Sequence, residues 1–528
     1  MATMKKYFLF LFLTLFSLSC CSQTANSDVQ RWYKLKIRVD STVNLYQKRL
    51  LLVNPASKKG SEFYHDYFKC IRFALSLPYH LNMRSDEHQW NKYLADMMMY
   101  FYVCCDSLPD RTSEAYDNLI ARKNFFAIQT GKTKGLAKDW KSIVQRLDDH
   151  EVAIEITDLK DELLFLKRGY SSPHSVEIDS LLAEEITKDL TDDPLAIDRL
   201  YNEDGPLRKL WLLMAPELHD IRTIYISGNF KYSQLNFAAI PIGNGEILSD
   251  RFDVHQMLST TSIKKDSEVL TRVKTAAVFG GIDYDLGLSN RPATNNEPWD
   301  LVRGLPDSIR NGFGALPGSK LEVATIDSIL TSRHIQLRSL QGKQASEDEV
   351  HRLSGSAPDL LHFSTHGFML APLFTDSTIV KDYGDTVKYL TILSQSGLLF
   401  AGANKAWKGR TSYDNYDGIL TSSELMKLNL SGSRLAILSA CRGALGEDRN
   451  LTGMPFGVAY ALKDAGVSQV MCSLWSISDK ATYVYMKHFY SHLMDNESPS
   501  EALRHTVNDM KKEGYKSPYY WASFILVE

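Results

Sequence analysis

The spacing of apolar residues changes once along the chain, and that change divides it. Up to about residue 131 the apolar positions recur every three or four residues: Phe63, Tyr67, Cys70/Ile71 and Ala74, then Trp90, Tyr93/Leu94, Met97 and Phe101. That spacing stacks them on one helical face and predicts helices. Pro55, Pro78 and Pro109 punctuate the region. Tyr116, Leu119 and Ile120 read as a last, degenerate helical repeat. After Trp140 the apolar runs take strand length. Residues 152–156 and 163–166, separated by a charged turn, predict a hairpin. Helices are expected at 175–187 and 206–218, and a strand at 223–227.

From Ala276 onward, strand-length runs alternate with helical ones. Strands are expected at 276–281, 360–365, 434–440, 467–474 and 522–527, with helices at 320–330, 422–428, 455–465, 481–494 and 500–511. Alternation of this kind builds βαβ units, so the expected fold is α/β with a mainly parallel sheet flanked by helices. Between His366 and Ser422 few regular signals occur, and Gly384, Gly397, Gly402, Gly409 and Gly418 are spread through the stretch. Its length predicts a functional loop set or lid.

Composition narrows the function classes. With 528 residues, 44% hydrophobic and 23% charged, the chain is a folded protein of more than one domain. A formal net charge of −3 and the lack of a basic stripe give no reason to expect nucleic acid. At the start, Lys5-Lys6 precede an apolar stretch (7–18) too short to span a bilayer comfortably, which is the layout of an export signal. It ends in Leu18-Ser19-Cys20-Cys21 and a polar run, which resembles a bacterial lipoprotein signal with Cys20 or Cys21 as the lipidated residue. The expected location is therefore an exported, membrane-anchored lipoprotein in the periplasm or at the cell surface.

Seven cysteines show no disulfide framework. Cys70, Cys104 and Cys105 lie in helical sequence, where a buried inert thiol is the default, and Cys472 reads as a core strand residue. Cys441 differs. It follows the run Leu435-Ala436-Ile437-Leu438-Ser439-Ala440, where a buried strand breaks into small residues. A second run, Leu360-Leu361-His362-Phe363-Ser364-Thr365-His366-Gly367, breaks the same way. Reacting groups in open α/β sheets collect beyond the carboxyl ends of the strands, so these runs deliver a thiol and an imidazole to one edge. Cys441 is the expected nucleophile and His366 the expected general base, the pairing of a cysteine hydrolase. His362 shares a strand face with His366 but lies deeper, and is expected to be a core histidine. The His362/His366 spacing would suit a metal on a helix, but the β-type run argues against one. No cofactor and no metal site is expected.

From Trp140 to the end, the chain resembles the CHAT domain peptidases, caspase-like enzymes related to separase. The matching pieces occur in family order: Trp140, Arg146-Leu147 and 151–155; Ile226-Ser227-Gly228-Asn229 and 235–241; 315–323; His362, Thr365-His366-Gly367; Leu438-Ser439-Ala440-Cys441; 465–479; and 501–504 with 518–524. Arg442-Gly443-Ala444 depart from the acidic residue and Thr that many relatives carry after the nucleophile. The resemblance implies a caspase-like fold in a pseudo-peptidase plus peptidase arrangement: residues 1–21 as signal, 22–138 as a small all-α (degenerate TPR-like) domain, 139–270 as a noncatalytic half and 271–528 as the catalytic half. It implies an endopeptidase working through a His366/Cys441 dyad, with the N–H groups of Gly367 and Cys441 as oxyanion hole. It also implies that Asp479, after the Leu474-Trp475 strand end, binds a basic side chain before the scissile bond, although Ser478 or Asp479 would equally cap the following helix. Glu447 and Asp448 could add charge there or be solvated. Expected partners are a protein or peptide substrate, a protein regulator at the helical domain, and a membrane through the lipid anchor. The alternative is a noncatalytic or latent scaffold whose helical region binds a partner.

Overall fold

The apolar runs after Trp140 pair into one large sheet. A computed structural model of the chain describes residues 111–124, 135–157, 161–264, 272–287, 312–369, 396–408, 416–440, 454–475 and 477–528. The expected hairpin is present: β1 (Glu151–Thr157) lies antiparallel to β2 (Glu162–Lys167), with Val152 opposite Lys167. β3 (His174–Glu177) extends that edge. Residues 175–177 were expected in a helix, which instead runs Ser180–Asp189, because the Asp179 carboxylate caps the Leu181 N–H at 2.9 Å. β4 (Thr223–Gly228) and β7 (Asp253–Gln256) follow, with the small hairpin β5 (Pro241–Gly243) and β6 (Glu246–Ile247) between them.

The second run of strands comprises β8 (Thr275–Ile282), β9 (Gln336–Gly342), β10 (Leu360–Ser364), β14 (Leu435–Ser439), β15 (Gln469–Ser473) and β16 (Phe524–Val527). The strand order is β3-β2-β1-β4-β7-β16-β15-β14-β10-β8-β9, mainly parallel and flanked by helices, as the alternating pattern predicts. β10 and β14 are buried at every residue, the signature of strands covered on both faces. β9, polar at most positions, is the edge that the hydrophobic pattern did not reveal. The helix Pro317–Ser332 packs on β8, β9 and the helix Asp479–Met494, and the helix Met454–Asp464 packs on β15. Gly280 permits the first of these contacts: a Cβ there would fall 2.5 Å from Val323 Cγ2 and 2.7 Å from Ser319 Oγ.

The last strand joins the two runs. β16 lies antiparallel to β15 and parallel to β7, and the Glu528 N–H donates to the Gln256 carbonyl at 2.9 Å. Buried Asn236 reinforces the junction, its amide donating to the carbonyls of Ala522 and Phe524 at 3.0 Å each. Within the stretch 366–422 the expectation of little regular structure is corrected. β11 (Gly367–Met369), β12 (Ser396–Leu399) and β13 (Ile419–Thr421) form a separate antiparallel sheet, with a short helix, Ala403–Trp407, beside it.

The helix Arg111–Lys123 packs on the other face of β1 and β2 from the main core. Tyr116, Leu119 and Ile120 join Ala153, Leu164 and Leu166 there, while Val152, Ile154 and Ile156 point into the main core. Its Lys123 ammonium is buried against the fully buried Glu155 carboxylate and donates to Ser227 Oγ at 2.6 Å. Glu155 also accepts from the Thr260 N–H at 2.9 Å and the Thr260 hydroxyl at 2.8 Å. Removing one partner of such a pair leaves a desolvated charge, which costs about 3–5 kcal/mol. Lys123→Met is therefore expected to lower the thermal midpoint clearly, and the double variant Lys123→Met/Glu155→Leu to recover much of the loss. Equal midpoints for all three proteins would show that the pair does not anchor this helix.

Candidate functional site

β10 and β14 are direct parallel neighbours in strict register, Leu360 opposite Leu435 through to Ser364 opposite Ser439. His366 stands two residues beyond Ser364, and Cys441 stands two residues beyond Ser439 in the sequence. Ala440, the last described residue at the end of β14, is buried, and its carbonyl accepts from Ser473 Oγ at 3.1 Å. Cys441 itself lies outside the described residues, as do Arg442, Gly443, Ala444, Glu447 and Asp448, and the lipidation candidates Cys20 and Cys21. Cys70, Cys104 and Cys105 also fall outside them.

His366 is held at its backbone and at its ring. Its N–H donates to the Tyr284 hydroxyl at 3.2 Å, and its carbonyl accepts from the Leu399 N–H of β12 at 3.0 Å. Thr365, fully buried, makes a 3.0 Å hydrogen bond with Tyr284 Oη and donates to the Leu399 carbonyl. The half-buried imidazole lies against Tyr284 and Phe313, with ring centres 5.0 and 5.4 Å away. Its Nε2 is 2.8 Å from the Gly314 carbonyl. A carbonyl only accepts, so Nε2 carries a proton and, in the neutral ring, Nδ1 keeps its lone pair. Burial lowers the His366 pKa below the ordinary imidazole value, and the Gly314 carbonyl opposes that shift. A neutral ring with Nδ1 unprotonated can accept a proton from a thiol.

Gly367 is the first residue of β11. Because the Leu399 N–H bonds to the His366 carbonyl, Gly367 and Leu398 form a non-hydrogen-bonded pair of the antiparallel ladder. The Gly367 N–H is thus directed away from β12.

The remaining candidates separate from this corner. His362 is the expected core histidine: fully buried, its Nδ1 lies 2.9 Å from Tyr490 Oη and its Nε2 3.2 Å from Glu322. Glu322 in turn accepts from Ser364 Oγ at 2.7 Å. Cys472 is buried in β15 and burial pushes its thiol up to about 12, which unsuits it as a nucleophile. Asp479 opens the helix Asp479–Met494, and the Ser478 hydroxyl caps that helix by accepting from the Ala481 N–H at 3.3 Å. The Asp479 side chain lies outside what the structure describes.

Among the described residues, His492, Glu497 and His505 have donor atoms close enough to hold a metal, within 4.8 Å of one another. The cluster sits on the hairpin of the helices Asp479–Met494 and Pro499–Lys512. His492 lies between Asp509 (2.9 Å) and Glu497 (3.1 Å), and His505 lies 2.7 Å from Glu497. Each of the two imidazoles thus already has a carboxylate partner.

The sequence reading missed Tyr284, Phe313 and Gly314. Phe313 and Gly314 precede the 315–323 motif and carry no titratable group, so only their placement marks them.

The family profile of the CHAT domain matches residues 204–528. No curated protein matches the chain. Among solved structures it is similar to the Arg-specific cysteine proteinase gingipain R (RgpB), at 8% identity and a TM-score of 0.34, over 65% of this chain and 73% of that one. It is also similar to the complex of Porphyromonas gingivalis RgpB pro- and mature domains, at 9% identity and a TM-score of 0.32, over 66% and 77% of the two chains. A third similarity is to the Saccharomyces cerevisiae separase-securin complex, at 10% identity and a TM-score of 0.32, over 91% of this chain and 27% of that one.

A buried ring kept neutral titrates at lower pH than in the unfolded chain. The unfolded state therefore takes up the proton first, and this group's contribution to stability is lost as pH falls from about 6.5 down through the lower pKa of the folded state. In the NMR titration of imidazole protons, assigned with His366→Gln, the His366 midpoint is expected below about 6.5. A midpoint at or above that value would contradict the burial argument.

Proposed function

The chain belongs to the CHAT domain family, and from that membership and the paired strand ends we propose that it is a cysteine endopeptidase acting on proteins or peptides. The observation that carries this reading is the register of β10 and β14, with His366 and Cys441 at matching positions past neighbouring strand ends. Neighbouring strands lie about 4.8 Å apart, a spacing that supports pairing the residue that follows one strand with the residue that follows the other.

In the proposed reaction the Cys441 thiol gives its proton to His366 Nδ1, and the sulfur attacks the scissile carbonyl carbon. The carbonyl oxygen becomes an oxyanion held by the N–H groups of Gly367 and Cys441, each donor worth roughly 3 kcal/mol. As the C–N bond breaks, His366 returns the proton to the leaving amine. Water, deprotonated by the same imidazole, then hydrolyses the thioester and frees the second product. The Gly314 carbonyl supports this cycle, because its hydrogen bond with Nε2 leaves Nδ1 to do the proton transfer and stabilises the imidazolium.

Asp479 is proposed to bind the side chain before the cleaved bond, favouring Arg or Lys through charge-assisted hydrogen bonds. Ser478 supports that role by serving as the helix cap itself, so Asp479 is not needed for capping. We place the enzyme outside the cytoplasm on a lipid anchor at Cys20 or Cys21, with a regulator binding the helical region. These assignments rest on the sequence of the first 138 residues.

Fluorogenic peptides ending in Arg, Lys, Asp or Leu test the reading. Cleavage after Arg or Lys is expected, abolished in Cys441→Ala and reduced about 10²–10⁴-fold in His366→Ala. Asp479→Asn is expected to cut kcat/KM for the Arg peptide by about tenfold or more, the worth of a charged hydrogen bond. Cleavage only after Asp would remove the Asp479 assignment. Turnover unchanged in Cys441→Ala would remove the mechanism.

A further inference from the structure

The base does not stand on its own strand alone: the carbonyl that orients it belongs to a segment whose preceding residue, Phe313, is held by a side chain from the stretch that follows the base. Gly314 belongs to the segment Gly312-Phe313-Gly314, and the buried amide of Asn404 grips that segment on both sides of Phe313. Asn404 Oδ1 accepts from the Phe313 N–H at 2.7 Å, and Nδ2 donates to the Phe313 carbonyl at 2.9 Å. Nδ2 also donates to Asp285 Oδ1 at 2.8 Å, which fixes which way the amide faces. The side chain thus pairs with Phe313 as a neighbouring strand would.

The fit is close. Gly312 has φ +87°, and a Cβ on it would fall 2.5 Å from Asn404 Oδ1. Trp407, one helical turn further on, packs edge-on against Phe313 with ring centres 4.8 Å apart. The Asn404 N–H donates to the Tyr284 carbonyl at 3.0 Å, tying the same short helix to the residue that caps the His366 N–H. Among the described residues, Tyr284, Phe313 and Gly314 contact the His366 ring, and each is bonded to Asn404 or adjoins a residue that is.

We propose that Asn404 is a positioning residue for His366. By fixing the Phe313 peptide groups it aims the Gly314 carbonyl at Nε2, which holds the proton there and leaves Nδ1 as the basic atom. The inference rests on the reading of His366 as the general base, and it deepens that reading. The base then becomes competent only when the helix Ala403–Trp407 and its sheet β11–β12–β13 are seated. The described parts of this stretch, β11–β12–β13 and the helix Ala403–Trp407, are in this view part of the base's support.

The test compares the full chain with Asn404→Ala and Asn404→Asp. Asp keeps the size and the acceptor for the Phe313 N–H but turns a second oxygen toward the Phe313 carbonyl and Asp285. Nitrogen-15 spectra of the His366 ring, assigned with His366→Gln, report the tautomer without any turnover. The wild type is expected to show a protonated Nε2 and a lone-pair Nδ1, and both variants a mixed ring. Peptide turnover is expected to fall about 10- to 100-fold in kcat, a share of the roughly 10²–10⁴-fold that a positioned base supplies, with KM within about twofold. An unchanged tautomer in either variant that keeps the wild-type far-UV circular dichroism would overturn the proposal, whatever the turnover. A changed tautomer with unchanged kcat would uphold Asn404 as the positioning residue and overturn His366 as the base. If Asn404→Asp loses the fold, Asn404→Ala, which adds no repulsion, decides.

Discussion

The strict parallel pairing of β10 with β14 is the constraint on which the site depends. Five consecutive residue pairs match, from Leu360 with Leu435 to Ser364 with Ser439, and both strands are buried throughout. A slip of one residue would turn every side chain of a strand to the opposite face. With both faces covered, that register is strongly enforced. The two strands therefore end level, at Ser364 and Ser439.

Polar groups placed at the level of those ends keep them in order. Ser319, at the start of the helix Pro317–Ser332, accepts from the Gly281 N–H and donates to the Ser364 carbonyl, at 2.9 Å each. It thereby ties β8 and β10 to one helix. Glu322, one turn along, accepts from Ser364 Oγ and lies beside His362. The buried hydroxyls of Ser319 and Ser364 both find partners, and such satisfied groups specify one arrangement, because another would leave a donor or acceptor without a partner. Beyond Ser364 the support passes to other elements: Tyr284 after β8, Gly314 before the helix, and Leu399 in β12. His366 is the point at which the large sheet hands over to the small one.

Much of the sheet was legible from the apolar runs. The hairpin β1–β2, the strands β8, β10, β14 and β15, and the helices between them fall close to where the pattern puts them, since buried strands need unbroken apolar residues. β9 and β3 were not legible. Both are edge strands with polar residues on much of their surface, and an edge needs little burial to pair. The small sheet β11–β12–β13 escaped for a related reason: its strands are three or four residues long, too short to show a period.

The residue types of the candidate site, a His and a Cys each after a buried run, could be read from the chain alone, as could the core role of His362. So could the family, because its motifs are ordered in sequence. The sequence could not show what surrounds the imidazole. Gly314 contributes a backbone carbonyl, which every residue possesses, and Asn404 is one amide among many until the fold brings it to Phe313. Covalent order determined which functional groups the chain carries and how far apart they lie along it. Tertiary structure decided which lone pair of His366 is left basic, because the hydrogen bond that sets the tautomer joins residues from separate elements, and packing alone brings those elements together.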